Sequence, residues 1–151
     1  MSLSGASSSL STNGSPAILL TKGEHLLETL PLVQAEAQHR NFILSTWVKS
    51  YESAARKQGI PRDLYAKYEP EIAESRWQDS WVVTDGEGYT ILAWACGGDG
   101  KLWHCYVIPS LRRMRIATRI VEFVTGGLKE YAKPWPYSAH ARLNPYLQRA
   151  R

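Results

Sequence analysis

The spacing of apolar residues predicts a strand followed by helices in the first half of the chain. From Glu24 to Leu32 the apolar residues fit a strand, and from Ala35 to Ala55 they follow the period of an amphipathic helix. Gly59 and Pro61 end that helix. Two short helical pieces are predicted next, opened by Pro61 and Pro70 at positions that suit a first helical turn.

The pattern in the second half predicts a meander and a long helix. The runs Trp81–Thr84, Tyr89–Cys96 and Leu102–Ile108 are rich in aromatic and β-branched residues and are separated by glycine-containing turns, which predicts three antiparallel strands. Pro109 ends the third strand. A helix is then predicted from Arg113 to Tyr131, because its apolar residues recur on one face.

The two ends of the chain complete this order of elements. Trp135 to Ala139 predict a last strand, and Asn144-Pro145 predicts the start of a short terminal helix. The Ser/Gly-rich run 1–16 cannot bury enough apolar surface to offset its ordering entropy, so we expect a disordered tail and a single domain over residues 17–151. The order predicts the α/β class, with a mixed sheet, an antiparallel meander and a crossover helix.

Composition narrows the functional classes. The 151 residues suffice for one domain, and a net charge of +4 favours anionic ligands but falls short of a dedicated nucleic-acid binder. Cys96 and Cys105 are the only cysteines, and the chain has no apolar run of membrane-spanning length, so we expect reduced thiols, a cytoplasmic location and no membrane partner. Their equal parity in the predicted hairpin would place both on one face. Two buried small side chains explain them better than a disulfide or a metal site, and no metal-ligand spacing occurs.

Candidate chemistry is concentrated where the third meander strand passes into the following helix. A helix N-terminus presents unpaired N–H groups and a partial positive charge, and Arg112, Arg113 and Arg115 lie at that same end. Such a place suits a phosphate-bearing anion. The alternative is a solvated basic face of an amphipathic helix, and charge alone favours that alternative.

The same stretch resembles the signature of the GNAT acyltransferases, in which a strand and often a proline precede Arg or Gln, two residues, Gly, one residue, and Gly or Ala. Here the pattern is carried by Pro109, Arg112, Arg115 and Ala117, with Arg115 in place of the central glycine. The segment 41–51 is similar to the first helix of small phage-encoded GNAT-like proteins. Residues 144–147 are similar to the closing motif of that branch.

The resemblance implies a GNAT-like mixed sheet with a shortened C-terminal part and acetyl-coenzyme A as co-substrate. In that family the loop's backbone N–H groups receive the coenzyme A pyrophosphate, and the crevice at the end of the preceding strand suits the pantetheine arm. Carried over to this sequence, the resemblance implicates these residues in cofactor binding: Val107, Ile108, Arg112, Arg113, Met114, Arg115, Ile116, Ala117 and Thr118.

Amine attack on a thioester needs a base and a proton donor. His104 is the candidate base, because it shares a strand face with Tyr106, opposite Trp103 and Cys105, and titrates near neutral pH. Tyr146 is the candidate proton donor, since the family often carries its acid near that position. The alternatives are a structural histidine and a tyrosine that anchors the C-terminus.

These observations leave three functional hypotheses. The first is an N-acyltransferase that moves an acetyl group from acetyl-coenzyme A to an amine of a small molecule or protein. The second is a catalytically inactive GNAT-fold binding module whose Arg112, Arg113, Arg115 and Arg119 meet an anionic protein or nucleic acid. The third, non-specific nucleic-acid binding, is disfavoured by the modest charge. The sequence does not decide which amine is the acceptor or whether the protein forms a homodimer. It also does not decide whether a phage encodes the protein, in which case the location would be the host cytoplasm.

Overall fold

A computed structural model describes residues 8–10, 15–88 and 90–132 of the chain. In this part, seven strands form one sheet in which every strand lies beside its neighbours in sequence. All neighbouring strands are antiparallel except the last two, which are parallel. The strands are β1 (Ser8–Leu10), β2 (Pro16–Lys22), β3 (His25–Gln34), β4 (Ser80–Thr84), β5 (Ile91–Gly98), β6 (Lys101–Val107) and β7 (Glu130–Tyr131).

Three α-helices of the described residues cover the two faces of the sheet. They are α1 (Arg40–Lys57), α2 (Tyr68–Arg76) and α3 (Ile116–Thr125). The first two connect β3 to β4, whereas α3 is the crossover between the parallel strands β6 and β7. This α/β arrangement, with a mixed sheet, an antiparallel meander and a crossover helix, confirms the predicted fold class.

The sheet separates two hydrophobic cores because successive side chains of a strand point to opposite faces. On β5, Ala93 and Ala95 pack in the core that contains α3, whereas Trp94 and Cys96 pack in the core that contains α1 and α2. The α1 core is also held by a buried hydrogen bond. The indole Nε1 of Trp47 donates to the carboxylate of Glu69 on α2 at 2.7 Å.

The N-terminal part of the sheet extends beyond the strand that the sequence predicted. The predicted strand from Glu24 corresponds to β3, and β2 precedes it as its antiparallel partner. Ile18 and Leu20 of β2 are buried in the α3 core. Ser8–Leu10, which lie in the segment predicted to be a tail, pair with β2. The boundary between tail and domain stays a prediction.

The predicted end of the crossover helix is wrong. Helix α3 ends at Thr125, because Gly126 follows with a left-handed backbone (φ 72°) and its N–H closes the last turn on Glu122. Tyr131, expected on the helix, instead lies in β7 opposite Leu102. The strand predicted at 135–139, the helix at 144–147 and Tyr146 lie outside the described residues.

A bulge in β6 changes which residues share a face. Cys96 of β5 is opposite His104, whereas Gly97 is opposite Leu102, so Trp103 is an extra residue in β6. As a result Trp103 packs on the α1 core together with His104 and not on the other face as predicted. The expectation that the two cysteines share a face is also wrong, because Cys96 lies in the α1 core and Cys105 packs against the α3 core.

Candidate functional site

The loop between β6 and α3 begins at the end of the sheet. Strand β6 ends at Val107, and the N–H of Ile108 still donates to the carbonyl of Leu92 on the neighbouring strand at 3.0 Å. A short 3₁₀ turn follows over Pro109–Leu111. Helix α3 begins at Ile116, so the loop connects the end of β6 to the N-terminus of a helix.

The backbone of this loop adopts the left-handed conformation at two residues that are not glycine. Arg113 has a φ of 71°, and Arg115 has a φ of 63° with a ψ of 15°. For a residue with a Cβ this conformation costs roughly 1–2 kcal/mol. Arg115 occupies the glycine position of the motif, so the backbone has the conformation that glycine adopts readily, although the side chain is an arginine.

Six consecutive amides of this loop have no hydrogen-bond acceptor among the described residues. The N–H groups of residues 113–118 donate no hydrogen bond to any residue in the described part of the chain, and α3 has no side-chain N-cap. The next amide, that of Arg119, makes the first helical bond, to Arg115 at 3.1 Å. The amide of Arg112 is occupied by the carbonyl of Pro109 at 3.3 Å. The run of amides without an acceptor therefore begins one residue later than the motif suggests.

The four arginines of this region make different contacts. The Nε of Arg112 donates to the carbonyl of Val107 at 2.8 Å, and its guanidinium lies 5.6 Å from the ring of Tyr106. Arg119 donates to the carbonyl of Leu19 at 2.6 Å and so ties α3 to β2. Arg113 and Arg115 are exposed and form no ion pair with a described residue. These two are the side chains that can reach an anion in the loop.

The remaining residues implicated by the resemblance support the loop. Ile116 is buried in the α3 core, and Met114 and Ala117 are partly buried against it. Thr118 is exposed, Val107 is buried, and Ile108 is half-buried. Among the described residues, β7 pairs with β6 only at its first two residues, Lys101 and Leu102, at the opposite end of the strand from Val107.

His104 lies in the α1 core. Its side chain is 4% exposed, its ring stacks on Trp47 with centroids 5.4 Å apart, and its Nε2 lies 2.8 Å from the hydroxyl of Ser50. Val107 faces the α3 core on the opposite side of the sheet. The side chains of His104 and Val107 therefore lie on different faces of the sheet, whereas Tyr146 lies outside the described residues.

Cys105 is not suited to nucleophilic attack. It is a free thiol, and burial raises its pKa from 9.0 to about 12. Since the thiolate is the reactive form, a thiol with this pKa is almost wholly protonated at neutral pH.

The sequence also did not reveal an open groove of about 470 Å³ beside β3. It is lined by residues from the end of β3, from the segment before α1 and from the turn after β4, among them Glu36, His39 and Glu87. The Nδ1 of His39 accepts a hydrogen bond from the N–H of Glu36 at 3.0 Å. Burial lowers the pKa of His39, and the Glu36 carboxylate partly opposes that shift. The lining comes from residues 31–39 and 84–88, which are far apart in sequence, so only the fold reveals the groove.

Comparisons with known proteins identify no relative. No protein-family model, no curated protein and no solved structure matches the chain. Among the described helices none combines the length and the apolar character needed to cross a bilayer. The described ranges also contain no group of three or more side chains that could hold a metal ion.

Proposed function

We propose that this protein is an N-acyltransferase that binds acetyl-coenzyme A at the loop between β6 and α3. The observation that carries the proposal is the run of amides at residues 113–118, which donate to no described residue and lie at a helix N-terminus. A diphosphate is the part of the coenzyme that would accept several such N–H groups at once. The resemblance of this loop to the GNAT signature supports the same ligand.

Electrostatics support an anion at this place. The N-terminus of α3 carries a partial positive charge, and Arg113 and Arg115 lie beside it without an ion-pair partner in the described residues. Each such cation at a helix N-terminus costs ~0.3–1 kcal/mol. A bound diphosphate would turn that repulsion into charge-assisted hydrogen bonds.

Acyl transfer would follow from placing an amine against the thioester carbonyl. The amine nitrogen attacks the carbonyl carbon, the carbon–sulfur bond breaks, one proton leaves the nitrogen, and the coenzyme thiolate takes one up. His104 and Tyr146 stay our candidates for these two proton transfers. The burial of His104 against Trp47 argues for its structural alternative, so the proposal depends on coenzyme binding more than on this pair.

The acceptor and the location belong to the same proposal. We take the acceptor to be an amine of a small molecule or a protein, and we place the protein in the cytoplasm because Cys96 and Cys105 are both free thiols. A homodimer would be one way to complete the acceptor pocket. Expression by a phage, with action in the host cytoplasm, would fit the resemblance of the first helix.

The second candidate is a binding module without catalysis. Two observations favour it: His104 is buried, and Arg113 and Arg115 are exposed beside the N-terminus of α3. Such a loop could receive a phosphate or carboxylate of a partner. Arg119 does not belong to this surface, because its guanidinium is bonded to the carbonyl of Leu19.

Thermal denaturation with acetyl-coenzyme A tests the proposal. At 100 times the dissociation constant the ligand should add about 2.7 kcal/mol to the free energy of unfolding. No shift at millimolar coenzyme would contradict coenzyme binding. A shift without release of free coenzyme A in the presence of varied amines would favour the binding module.

A pair of variants separates the amides from the arginines. Arg113→Gly with Arg115→Gly keeps both N–H groups and the left-handed backbone but removes both charges, so we expect weaker coenzyme binding that persists. Arg62→Ala, an exposed arginine on another surface, is the control and should leave binding unchanged. Complete loss of binding in the glycine pair would show that the side chains, and not the amides, hold the ligand.

A further inference from the structure

Two arginine side chains attach the two ends of the loop before α3 to the sheet. Nε of Arg112 donates to the carbonyl of Val107 at the end of β6, at 2.8 Å. Nη1 of Arg119 donates to the carbonyl of Leu19 on β2, at 2.6 Å. Both left-handed residues of the loop lie between these two arginines. The coenzyme proposal uses neither bond.

The carbonyl of Val107 faces an edge of β6 that no described strand reaches. The N–H of Ile108 donates to the carbonyl of Leu92 on β5, at 3.0 Å. Since the C=O and the N–H of one trans peptide point in opposite directions, the carbonyl of Val107 points away from β5. Among the described residues, β7 pairs with β6 only at residues 101 and 102. Nε of Arg112 therefore satisfies a carbonyl at an open edge.

Arg112 is held by its backbone and by its side chain. Its N–H donates to the carbonyl of Pro109 at 3.3 Å, and its guanidinium lies 5.6 Å from the ring of Tyr106. Tyr106 packs against the α1 core, whereas α3 packs on the other face of the sheet. The guanidinium therefore lies on the α1 side of β6, and the start of the loop is fixed to the end of the strand.

Arg119 fixes the other end of the loop. Its N–H makes the first helical bond of α3, to the carbonyl of Arg115 at 3.1 Å, while its side chain ties the helix to β2. Ile116, the first residue of α3, is 1% exposed and belongs to the α3 core. The start of the helix cannot shift along the sheet without breaking the bond to Leu19 or exposing Ile116.

Only residues 113–115 separate Arg112 from the start of α3. A left-handed backbone at a residue with a Cβ is strained, and such strain persists where the surrounding structure imposes it. We propose that Arg112 and Arg119 are positioning residues that together impose the left-handed conformation at Arg113 and Arg115. The two bonds thereby keep the amides of residues 113–118 in one arrangement. The benefit of that arrangement for coenzyme binding rests on the proposed function, whereas the bracing of the loop does not.

Limited proteolysis of the free, full-length chain tests the bracing without a ligand. Trypsin cleaves after arginine, and cleavage within a folded chain requires local opening. Arg119→Gln removes the bond to Leu19, so cleavage after Arg113 and Arg115 should become about fivefold faster, as expected for the loss of one net hydrogen bond. A synthetic peptide of residues 108–122 with the same substitution corrects for the effect of sequence on the protease. Arg56→Gln, at an exposed arginine of α1, is the control and should leave the rate unchanged.

Two substitutions of Arg112 separate a positioning residue from a phosphate ligand. Nε2 of glutamine is as many bonds from Cα as Nε of arginine, so Arg112→Gln keeps a donor for the carbonyl of Val107 but loses the charge. Arg112→Ala loses both. We expect Arg112→Ala to speed cleavage after Arg113 and Arg115 about fivefold, and we expect Arg112→Gln to stay within about twofold of the unchanged chain. If Arg119→Gln does not fold, this comparison tests the same inference.

Acetyl-coenzyme A binding gives a second readout. Arg112→Ala should weaken binding about fivefold, and Arg112→Gln should recover most of that loss with an unchanged dependence on salt concentration. A weaker salt dependence in Arg112→Gln would make Arg112 a phosphate ligand and overturn its positioning role. Unchanged cleavage in both Arg112→Ala and Arg119→Gln would overturn the inference whether or not the coenzyme binds. Faster cleavage in both variants of a protein that binds no coenzyme would support the bracing and contradict only the proposed function.

Discussion

Two arginines in the loop before α3 have a backbone conformation that normally favours glycine. Arg115 has a φ of 63°, which disfavours any residue with a Cβ, and its positive charge lies at the positive end of a helix. Arg113, two residues earlier, has a φ of 71°. Local strain of this kind persists where the surrounding structure imposes it, and it is often found at ligand sites.

The first prediction concerns the stability of the free protein. Arg115→Gly should raise the free energy of unfolding by about 0.5–1 kcal/mol, because relief of the left-handed strain exceeds the entropy that glycine adds to the unfolded chain. Urea denaturation measures the change. Arg115→Lys keeps both the strain and the charge and should leave stability unchanged. A destabilised glycine variant would mean that the arginine side chain makes a contact that outweighs the strain.

The second prediction concerns pH. Because burial lowers the pKa of His39 below 6.5, the unfolded chain binds a proton at this residue more readily than the folded chain does. The stability that comes from this difference is complete above pH 6.5 and is lost as the pH falls below it. Urea denaturation at pH 7.5 and 5.5 should therefore show a smaller loss for His39→Gln than for the unchanged chain. Equal losses in both proteins would contradict the assignment.

At the loop before α3, the sequence predicted which residues would bind an anion, but it did not predict their backbone conformation. The resemblance to the GNAT signature, and not the crowding of arginines alone, predicted that residues 112–118 bind an anion. The left-handed φ at Arg113 and Arg115 has no signal in residue type, since glycine or asparagine would normally mark it. The role of Arg119 was also hidden, because its partner is the carbonyl of Leu19, 100 residues away in sequence.

At the scale of elements, the apolar period located the helices better than it located their ends. Helix α1, predicted from Ala35 to Ala55, runs from Arg40 to Lys57. For α3 the period continued past the true end, because Leu128 and Tyr131 kept the helical spacing by coincidence while Gly126 stopped the helix. The bulge at Trp103 could not be predicted, since alternation of polar and apolar residues does not reveal an inserted residue.

The third prediction tests the stop of α3. Gly126→Ala should lower the free energy of unfolding by about 1 kcal/mol, because Gly126 has a φ of 72° and alanine is strained there. Space is not the reason, since a Cβ at this position would meet nothing within 4 Å. Gly98→Ala is the matched control, with equal space and no left-handed backbone, and it should not destabilise the protein. Thermal and urea denaturation measure both changes.

At the scale of the whole molecule, one sheet contributes residues to two hydrophobic cores, one on each face. The two cores lie on opposite faces of the strands, whose alternate residues belong to one or the other. Ile43 of α1 and Ile120 of α3 are both fully buried, one in each core. Damage on either side should therefore destabilise the same cooperative unit.

The fourth prediction follows from this shared sheet. Ile43→Ala and Ile120→Ala should each cost about 2–5 kcal/mol, as buried apolar truncations do. Both variants should still unfold in one transition, with the same midpoint by tryptophan fluorescence and by far-ultraviolet circular dichroism. Two separate transitions in either variant would show that the two cores are independent.

The order of elements predicted the fold class, but the sequence could not reveal the groove beside β3. Its walls come from residues 31–39 and 84–88, and no local pattern links these segments. The two segments come together because β3 pairs with β4, although α1 and α2 lie between these strands in sequence. The loop before α3, by contrast, is one continuous segment with a recognisable spacing.

The lengths of the links between the strands have a consequence for hydrogen exchange. Most of the strands are joined by short hairpins, which close at small entropic cost, but the links that contain α1 and α2 and that contain α3 are long. The proposed coenzyme loop lies in the link that contains α3. A ligand bound to this loop should protect the amides of β6 against hydrogen exchange, so exchange rates would report binding without any assay of chemistry.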